Sequence, residues 1–327
     1  MILSSVFPIR SLFGAFRVCT MALLLTVVSL STEGSASFDR GYIEGIGGYS
    51  GRTAECGTFE IYSGSGSGAI ADEIERIVCR SVGEISTGIG LEHMSPVAVV
   101  IAEDTPSFRR LHGGRVPEWG EAFSDSRRMI IGIDASRVLL SGRPLETVMR
   151  HELSHVILSQ RTAGARLPTW LVEGIAMRQS REWTLGDQWR LALMVWREDM
   201  LHLEDLEGRF PRNEIKAAMA YRISYAAVEE LFTGQEHALV TFTAFLRDTG
   251  DFEKAFTLTF GETTAEYSTR FSAVMANRYR KTAVLLHASP YGLSLSALFL
   301  LAYFIKRQRS RRRIEQWERE DAGPRIV

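Results

Sequence analysis

One five-residue phrase limits what this chain can fold into. His151-Glu152-Leu153-Ser154-His155 lies in a stretch, 145–160, that contains no Pro or Gly. That stretch carries an apolar stripe of Leu145, Val148, Met149, Leu153, Val156 and Ile157. The spacing predicts a helix, and on a helix residues i and i+4 share one face. Both imidazoles can then point at one metal ion. Glu152 stands one residue on, where it can act on a water held by that metal. Zinc fits this donor set, because it accepts nitrogen and oxygen ligands and keeps one position open in catalytic sites. The alternative is an ordinary helix with two surface histidines.

A site of this type needs a third ligand from a neighbouring helix. Eighteen residues after His155 comes Glu173, within Trp170-Leu171-Val172-Glu173-Gly174-Ile175-Ala176. Pro168 suits a helix opening. Gly164 in the connecting loop lets the two helices pack antiparallel, which brings Glu173 beside the histidine pair. A plain surface carboxylate is the alternative for Glu173. Glu182 and His202 are fallback ligands. The metzincin arrangement requires Gly at 158 and His at 161, and Leu158 and Arg161 exclude it.

The ends of the chain read differently from its middle. Arg10 and Arg17, the 13-residue apolar stretch Val18–Leu30 and the small residues Gly34-Ser35-Ala36-Ser37 predict a signal peptide over 1–37. The alternative is an uncleaved N-terminal anchor. Near the other end, Ala283–Ile305 is a 23-residue run without a formal charge. As a helix it would reach roughly 34 Å, enough to span a hydrocarbon core. Six positive charges follow in the eight residues 306–313, a block that stays on the cytoplasmic side. The expected topology is a single-pass cell-membrane protein: an extracytoplasmic body, periplasmic or external, a transmembrane helix at 283–305 and a basic cytoplasmic tail at 306–327. The body itself, 38–281, holds 34 acidic and 28 basic residues, so it offers no broad electrostatic footprint for nucleic acid. Cys56 and Cys79, the only cysteines of that body, would lie where pairing is allowed; two unrelated thiols are the alternative.

Along the body, residues 38–52 are Gly-rich, and 38–56 is expected to be a linker. Gly57–Tyr62 reads as a strand, 63–68 as a Gly/Ser turn, and Ile70–Gly88 as a helix with Ile70, Ile74, Ile77, Val78, Val82 and Ile85 at helical spacing. Val97–Ala102 is a continuous apolar run and reads as a buried strand. Phe108–Leu111 is a short helix. Glu121–Ser124 and Met129–Ile133 are strands joined by Asp125-Ser126-Arg127. From Pro144 onward helices are predicted at 145–160, 168–180, 187–200, 213–232, 236–248, 251–259 and 263–281. The expected domain, 57–281, is thus an α/β half (57–144) followed by a helical half (145–281). Trp183, Trp189 and Trp196 follow the second motif helix at spacings of six and seven and suggest a packed or interfacial aromatic face.

His151-Glu152-Leu153-Ser154-His155 followed by Trp170-Leu171-Val172-Glu173-Gly174-Ile175-Ala176 resembles the gluzincin metallopeptidases, the thermolysin-like group with the peptidase MA-like domain. The Trp-Leu-x-Glu-Gly phrase is similar to that of the aminopeptidase N-like enzymes. Weaker resemblance extends upstream through Pro96–Ile101, Pro117-Glu118-Trp119-Gly120 and Met129–Asp134, and downstream through Ala220-Tyr221 and Phe252–Gly261. It implies an α+β, thermolysin-like zincin fold with a small mixed sheet and a helical subdomain. It implies Zn2+ held by His151, His155 and Glu173, with Glu152 as general base and a peptide or protein as substrate. It further implies a Tyr or His that steadies the oxyanion. Tyr221, 48 residues after Glu173, is placed in that role, and Tyr225 one helical turn away competes. Family strands also offer an edge to extended peptides, at Glu121–Ser124 or Met129–Ile133. The Gly-Ala-Met-Glu-Asn exopeptidase phrase is missing, which favours an endopeptidase. The reading is a membrane-anchored zinc metallopeptidase. A non-catalytic zincin-fold binding or assembly module at the membrane is the rival, and the intact Glu152 argues against it.

Overall fold

Alternation along one central strand organises the first half of the chain. The computed structural model describes residues 38–113, 120–197, 200–208, 210–211, 213–235 and 237–321, without the side chains of 280–293 and 308–321. Helix α1 (Arg40–Ile46) and strands β1 (Ser50–Thr53) and β2 (Phe59–Ser63) come first. They are followed by α2 (Gly68–Ile89), β3 (Val97–Ala102), α3 (Thr105–His112), the hairpin β4 (Ala122–Asp125) and β5 (Ile130–Asp134), and α4 (Ala135–Ser141). The five strands form one mixed sheet in the order β1-β2-β3-β5-β4. The pairs β2–β3 and β3–β5 are parallel, and the outer pairs β1–β2 and β4–β5 are antiparallel.

Every residue of β3 is buried, and successive side chains point to opposite faces. Val97, Val99 and Ile101 join the main core, which includes Ile74, Ile77 and Ile85 of α2. Ala98 and Val100 join a second core with Phe38, Ile43, Leu111 and Ile130. The central strands are therefore covered on both faces, and this is why β3 reads as an unbroken apolar run.

From Leu145 the described elements are helical: α5 (Leu145–Arg161), α6 (Thr169–Ser180), α7 (Leu185–Trp196), a 3-10 turn (Leu203–Leu206), α8 (Glu214–Phe232), α9 (Ala238–Thr249), α10 (Phe252–Phe260) and α11 (Thr264–Asp321). Met149, Leu153, Val156 and Ile157 of α5 enter the main core, so the helix that carries the motif packs beneath the sheet. Arg150 is buried and fixes this helix from its other side. It donates to both carboxylate oxygens of Glu84 on α2 and to the carbonyl of Gln179 on α6. The aromatic stack of Trp170 on Tyr267, with Tyr267 Oη donating to the carbonyl of Ala227 at 2.6 Å, ties α6, α11 and α8 together.

The chain is thus a mixed α+β fold. Three expectations need correction. Residues 38–56 are not a linker. The Asp39 carboxylate caps α1, Phe38 and Ile43 are buried, and β1 pairs along β2. The glycines at 41 and 45 dilute the helical spacing of Phe38, Tyr42, Ile43 and Ile46. Helix α4, which Asp134 caps, was not anticipated. Helix α11 does not end at 281 but runs on to Asp321. Cys56 and Cys79 form a disulfide that joins the β1–β2 connection to α2, with Cα atoms 5.5 Å apart.

Among the described residues, no helix is long and apolar enough to cross a membrane. The side chains of the first part of the expected span, 283–293, lie outside the described residues, as do the expected signal peptide 1–37, Pro117-Glu118-Trp119 and most of the basic tail.

Candidate metal centre

Helix α5 presents His151 and His155 one turn apart, with ring centroids separated by 4.8 Å. The loop to α6 contains Ala163 and Gly164 in left-handed backbone, at φ 50° and 71°. It returns the chain so that Glu173, in the second turn of α6, meets both rings. Oε2 of Glu173 lies 3.4 Å from Nε2 of His151 and 3.6 Å from Nε2 of His155. The three side chains offer ligand atoms that all lie within 4.8 Å of one another.

The close approach of α6 to α8 requires Gly174. A Cβ there would sit 2.3 Å from the backbone oxygen of Ser224 and 2.5 Å from Cγ2 of Val228. This assigns a physical reason to the Glu-Gly pair of the motif: the residue after Glu173 must have no side chain for α8 to lie against α6.

The electrostatics of the protein groups favour a cation. Burial opposes the His151 imidazolium, but the carboxylates of Glu173 and Glu182 outweigh it and raise the pKa. Burial likewise opposes the Glu173 carboxylate, and the two histidines outweigh that and hold its pKa low. Oε2 of Glu173 is buried and has no hydrogen-bond partner among the described residues. Two nitrogens and an unsatisfied carboxylate oxygen converging on one point fit a zinc ion.

The fallback ligands fall elsewhere. Glu182 Oε2 lies 3.6 Å from Nδ1 of His151, on the opposite side of the ring from Glu173. It cannot share a metal with Nε2, and it stands instead as an orienting neighbour of His151. The Ser180 hydroxyl at 3.3 Å and the Arg143 guanidinium at 2.9 Å hold it in place. His202 is exposed at the start of the 3-10 turn and does not join the cluster.

Glu152 is buried and lines a 570 Å³ cleft with His151, Tyr221 and Ala122. The phenol of Tyr221 is pushed well above its ordinary pKa, first by burial and then by the charges of Glu173, Glu152 and Glu182. It lines the cleft with His151, Glu152 and Glu182. Tyr225 faces elsewhere: its ring stacks on Trp183 at 4.2 Å and 8°. Burial raises its pKa as well, and the next contribution comes from Glu229. On the far side of the cluster a 330 Å³ hollow is lined by His155, Glu173 and Ser124. Strand β4 therefore passes both hollows, Ala122 at one and Ser124 at the other. It is one of the two edge strands of the sheet, β1 being the other, whereas β5 lies between β3 and β4 and offers no edge.

Sequence reasoning missed Arg143, Arg190 and Arg222, which also line the larger cleft. They carry no motif; Arg190 lies on α7, Arg222 on α8 and Arg143 just before α5, and only tertiary packing brings them to one cleft.

No curated protein matches the sequence. The family model of the Peptidase MA superfamily matches residues 81–277, a span that begins in α2 and ends in α11 and so contains the whole His-His-Glu cluster. The chain belongs to the Peptidase MA superfamily, a group of peptidase-like hydrolases that are typically metal-dependent.

Proposed function

We propose that the chain is a membrane-anchored zinc metallopeptidase, with its body outside the cytoplasm, that cleaves within polypeptide chains. The observation that carries the reading is the convergence of His151, His155 and Glu173 beside Glu152 in a cleft. A zinc ion held by those three residues supplies Lewis-acid chemistry, lowering the pKa of a water towards 7 and polarising a carbonyl.

The protein's own groups do the rest. Glu152 takes the proton of the attacking water and passes it to the leaving amine. Tyr221 donates to the oxygen that gains charge at the scissile carbonyl, and its raised pKa keeps the donor proton in place. Strand β4 adds an extended substrate by backbone pairing. Hollows on both sides of the cluster leave room for substrate to continue in either direction, which supports an endopeptidase.

The anchor reading is supported by α11. Leu295, Leu298, Phe299, Leu300, Leu301, Tyr303, Phe304 and Ile305 are all exposed on it. Eight large apolar side chains on one helix segment need a cover, and acyl chains supply one.

Metal analysis and protease assays of the full chain in detergent test this. One zinc per chain is expected, lost on replacing His151, His155 or Glu173 by Ala. Glu152→Gln should keep the zinc and lose cleavage of an unfolded protein by several orders of magnitude. Zinc that persists in Glu173→Ala rejects that ligand. A parent protein with zinc but no cleavage of any unfolded protein points instead to a binding or assembly module.

A further inference from the structure

We infer that the α7–α8 wall of the catalytic cleft is a subsite for an acidic side chain, so that the substrate carries Asp or Glu on one side of the scissile bond. This deepens the peptidase reading and rests on it. The first observation is the charge of that wall. Asp187 and Arg190 of α7 line the cleft, as do Tyr221 and Arg222 of α8. Arg222 follows Tyr221 directly in the chain, so a cation stands next to the residue placed at the oxyanion. Oδ1 of Asp187 lies 3.0 Å from Nε of Arg222 and 3.7 Å from Nη1 of Arg190. One carboxylate thus serves two guanidiniums, and one positive charge is left over.

The second observation is how those groups are already engaged. Oδ2 of Asp187 accepts from the Thr184 hydroxyl at 2.5 Å, in the capping box that opens α7. The Arg222 side chain is mostly buried, and its Nη1 donates to the Ala218 carbonyl at 3.1 Å. Asp187 and Arg222 therefore tie α7 to α8. Arg190 has no such duty: its side chain is 64% exposed and donates no hydrogen bond among the described residues. Nη2 of Arg222 donates none among them either. The other cation of the cleft is spoken for, since Arg143 lies between Glu121 and Glu182. A bound zinc ion would balance Glu152 and Glu173. The surplus positive charge is therefore local to α7 and α8.

Guanidinium groups with free N–H donors are matched by a carboxylate, which accepts two parallel hydrogen bonds from one such group. In the proposed reading the substrate backbone lies along β4, where Ala122 borders the same cleft. A side chain is then what reaches across to α7 and α8. The hollow beyond the metal ligands is different. Leu158, Leu167, Val172 and Ser124 line it, and no Lys or Arg does among the described residues. The acidic preference therefore belongs to one side of the scissile bond alone.

Binding and cleavage are read separately. The full chain carrying Glu152→Gln, loaded with zinc in detergent, is immobilised and offered amidated peptides with one Glu at a varied position, beside their Gln counterparts. The best Glu peptides should bind about tenfold more tightly, the size of one charge-assisted hydrogen bond, and the difference should shrink in high salt. The chain with Glu152 intact should cut those peptides with Glu at a fixed place on one side of the cut, read by mass spectrometry. Arg190→Glu, at an exposed position that folding does not depend on, should turn the preference towards Lys at that same place. Arg222→Gln should weaken the preference for Glu. Equal binding of Glu and Gln peptides, or a preference that Arg190→Glu leaves unmoved, overturns the subsite. Selective binding only of a neutral peptide with a free carboxyl end assigns the wall to a chain terminus and overturns it as well. Cleavage without preference rejects the subsite and leaves the peptidase reading standing. Selective binding of Glu peptides without cleavage by the intact chain rejects the peptidase reading and leaves the subsite standing.

Discussion

Replacing Gly174 by Ala tests whether the contact between α6 and α8 sets the metal site. The added Cβ would meet the Ser224 oxygen at 2.3 Å, where ordinary contact begins near 3.4 Å. The obstacle is helix backbone and cannot rotate away, so the two helices must part by about 1 Å. Overpacking of this kind costs roughly 1–3 kcal/mol, and a backbone clash belongs at the upper end. The better helix propensity of Ala returns about 1 kcal/mol, leaving about 2 kcal/mol of net destabilisation. In a domain of this size each kcal/mol lowers Tm by roughly 2–4 °C, so a drop of about 4–8 °C is expected. Glu173 is the adjacent residue and moves with the backbone. Sites of this kind tolerate only about 0.5 Å of displacement, so zinc affinity should fall by at least ~10-fold. Gly83→Ala on α2 is the control, because its Cβ meets nothing within 4 Å. It should gain about 0.5–1 kcal/mol and leave zinc binding unchanged. Calorimetry and chelator competition on both variants decide the matter. If Gly174→Ala melts above the parent and holds zinc equally well, the close approach is not what positions Glu173.

Two further outcomes are expected. Tyr221→Phe should lower kcat by roughly 10²–10³-fold with zinc retained, as for one oxyanion donor, whereas Tyr225→Phe, which keeps its ring on Trp183, should change kcat little; steady-state kinetics of the pair would show exchanged roles if the reverse holds. The disulfide closes a loop of sequence separation 23, and Cys56→Ser with Cys79→Ser should cost about 3 kcal/mol, read by denaturant unfolding, with an unchanged midpoint refuting that estimate.

Much of the fold was legible because its signals are local. The run Val97–Ala102 is the strand observed, with the same bounds. The stripe from Leu145 to Ile157 made α5 readable, and turn residues marked the β4–β5 hairpin. The parts that escaped depend on distant partners. Strand β1 is exposed along its whole length and carries no apolar alternation; its pairing with β2 defines it. Helix α1 owes its place to a small core built from β2, β3, β5 and α3. Of the site, the phrase on α5 and the carboxylate on α6 could be found by spacing. The choice between Tyr221 and Tyr225 could not, since both lie on α8 and only tertiary packing separates them: Tyr221 lines the cleft and Tyr225 stacks on Trp183.

Glu182 shows how a correct residue can be given the wrong role by sequence alone. Spacing made it a fallback ligand, but Arg181 adopts left-handed backbone at φ 58° at the end of α6. Glu182 thus reaches Nδ1 of His151, while Nε2 faces Glu173. The two ring nitrogens point in widely divergent directions, so a metal at one is beyond a group at the other. Burial opposes the Glu182 carboxylate, and His151 and Arg143 hold its pKa low, so it stays charged beside the ring. Arg143 also faces Glu121 at 3.6 Å, just before β4, which links the orienting carboxylate to the substrate edge. Outer carboxylates of this kind alter metal affinity by roughly 10–100-fold. Glu182→Gln should therefore keep one zinc per chain at weakened affinity, whereas Glu173→Gln should release it under the same chelator. A cobalt-substituted sample should show a shifted visible band in Glu182→Gln, a change that lost packing far from the metal would not produce. Loss of the metal from Glu182→Gln as complete as from Glu173→Gln would return Glu182 to the ligand set and overturn the assignment drawn from the ring geometry.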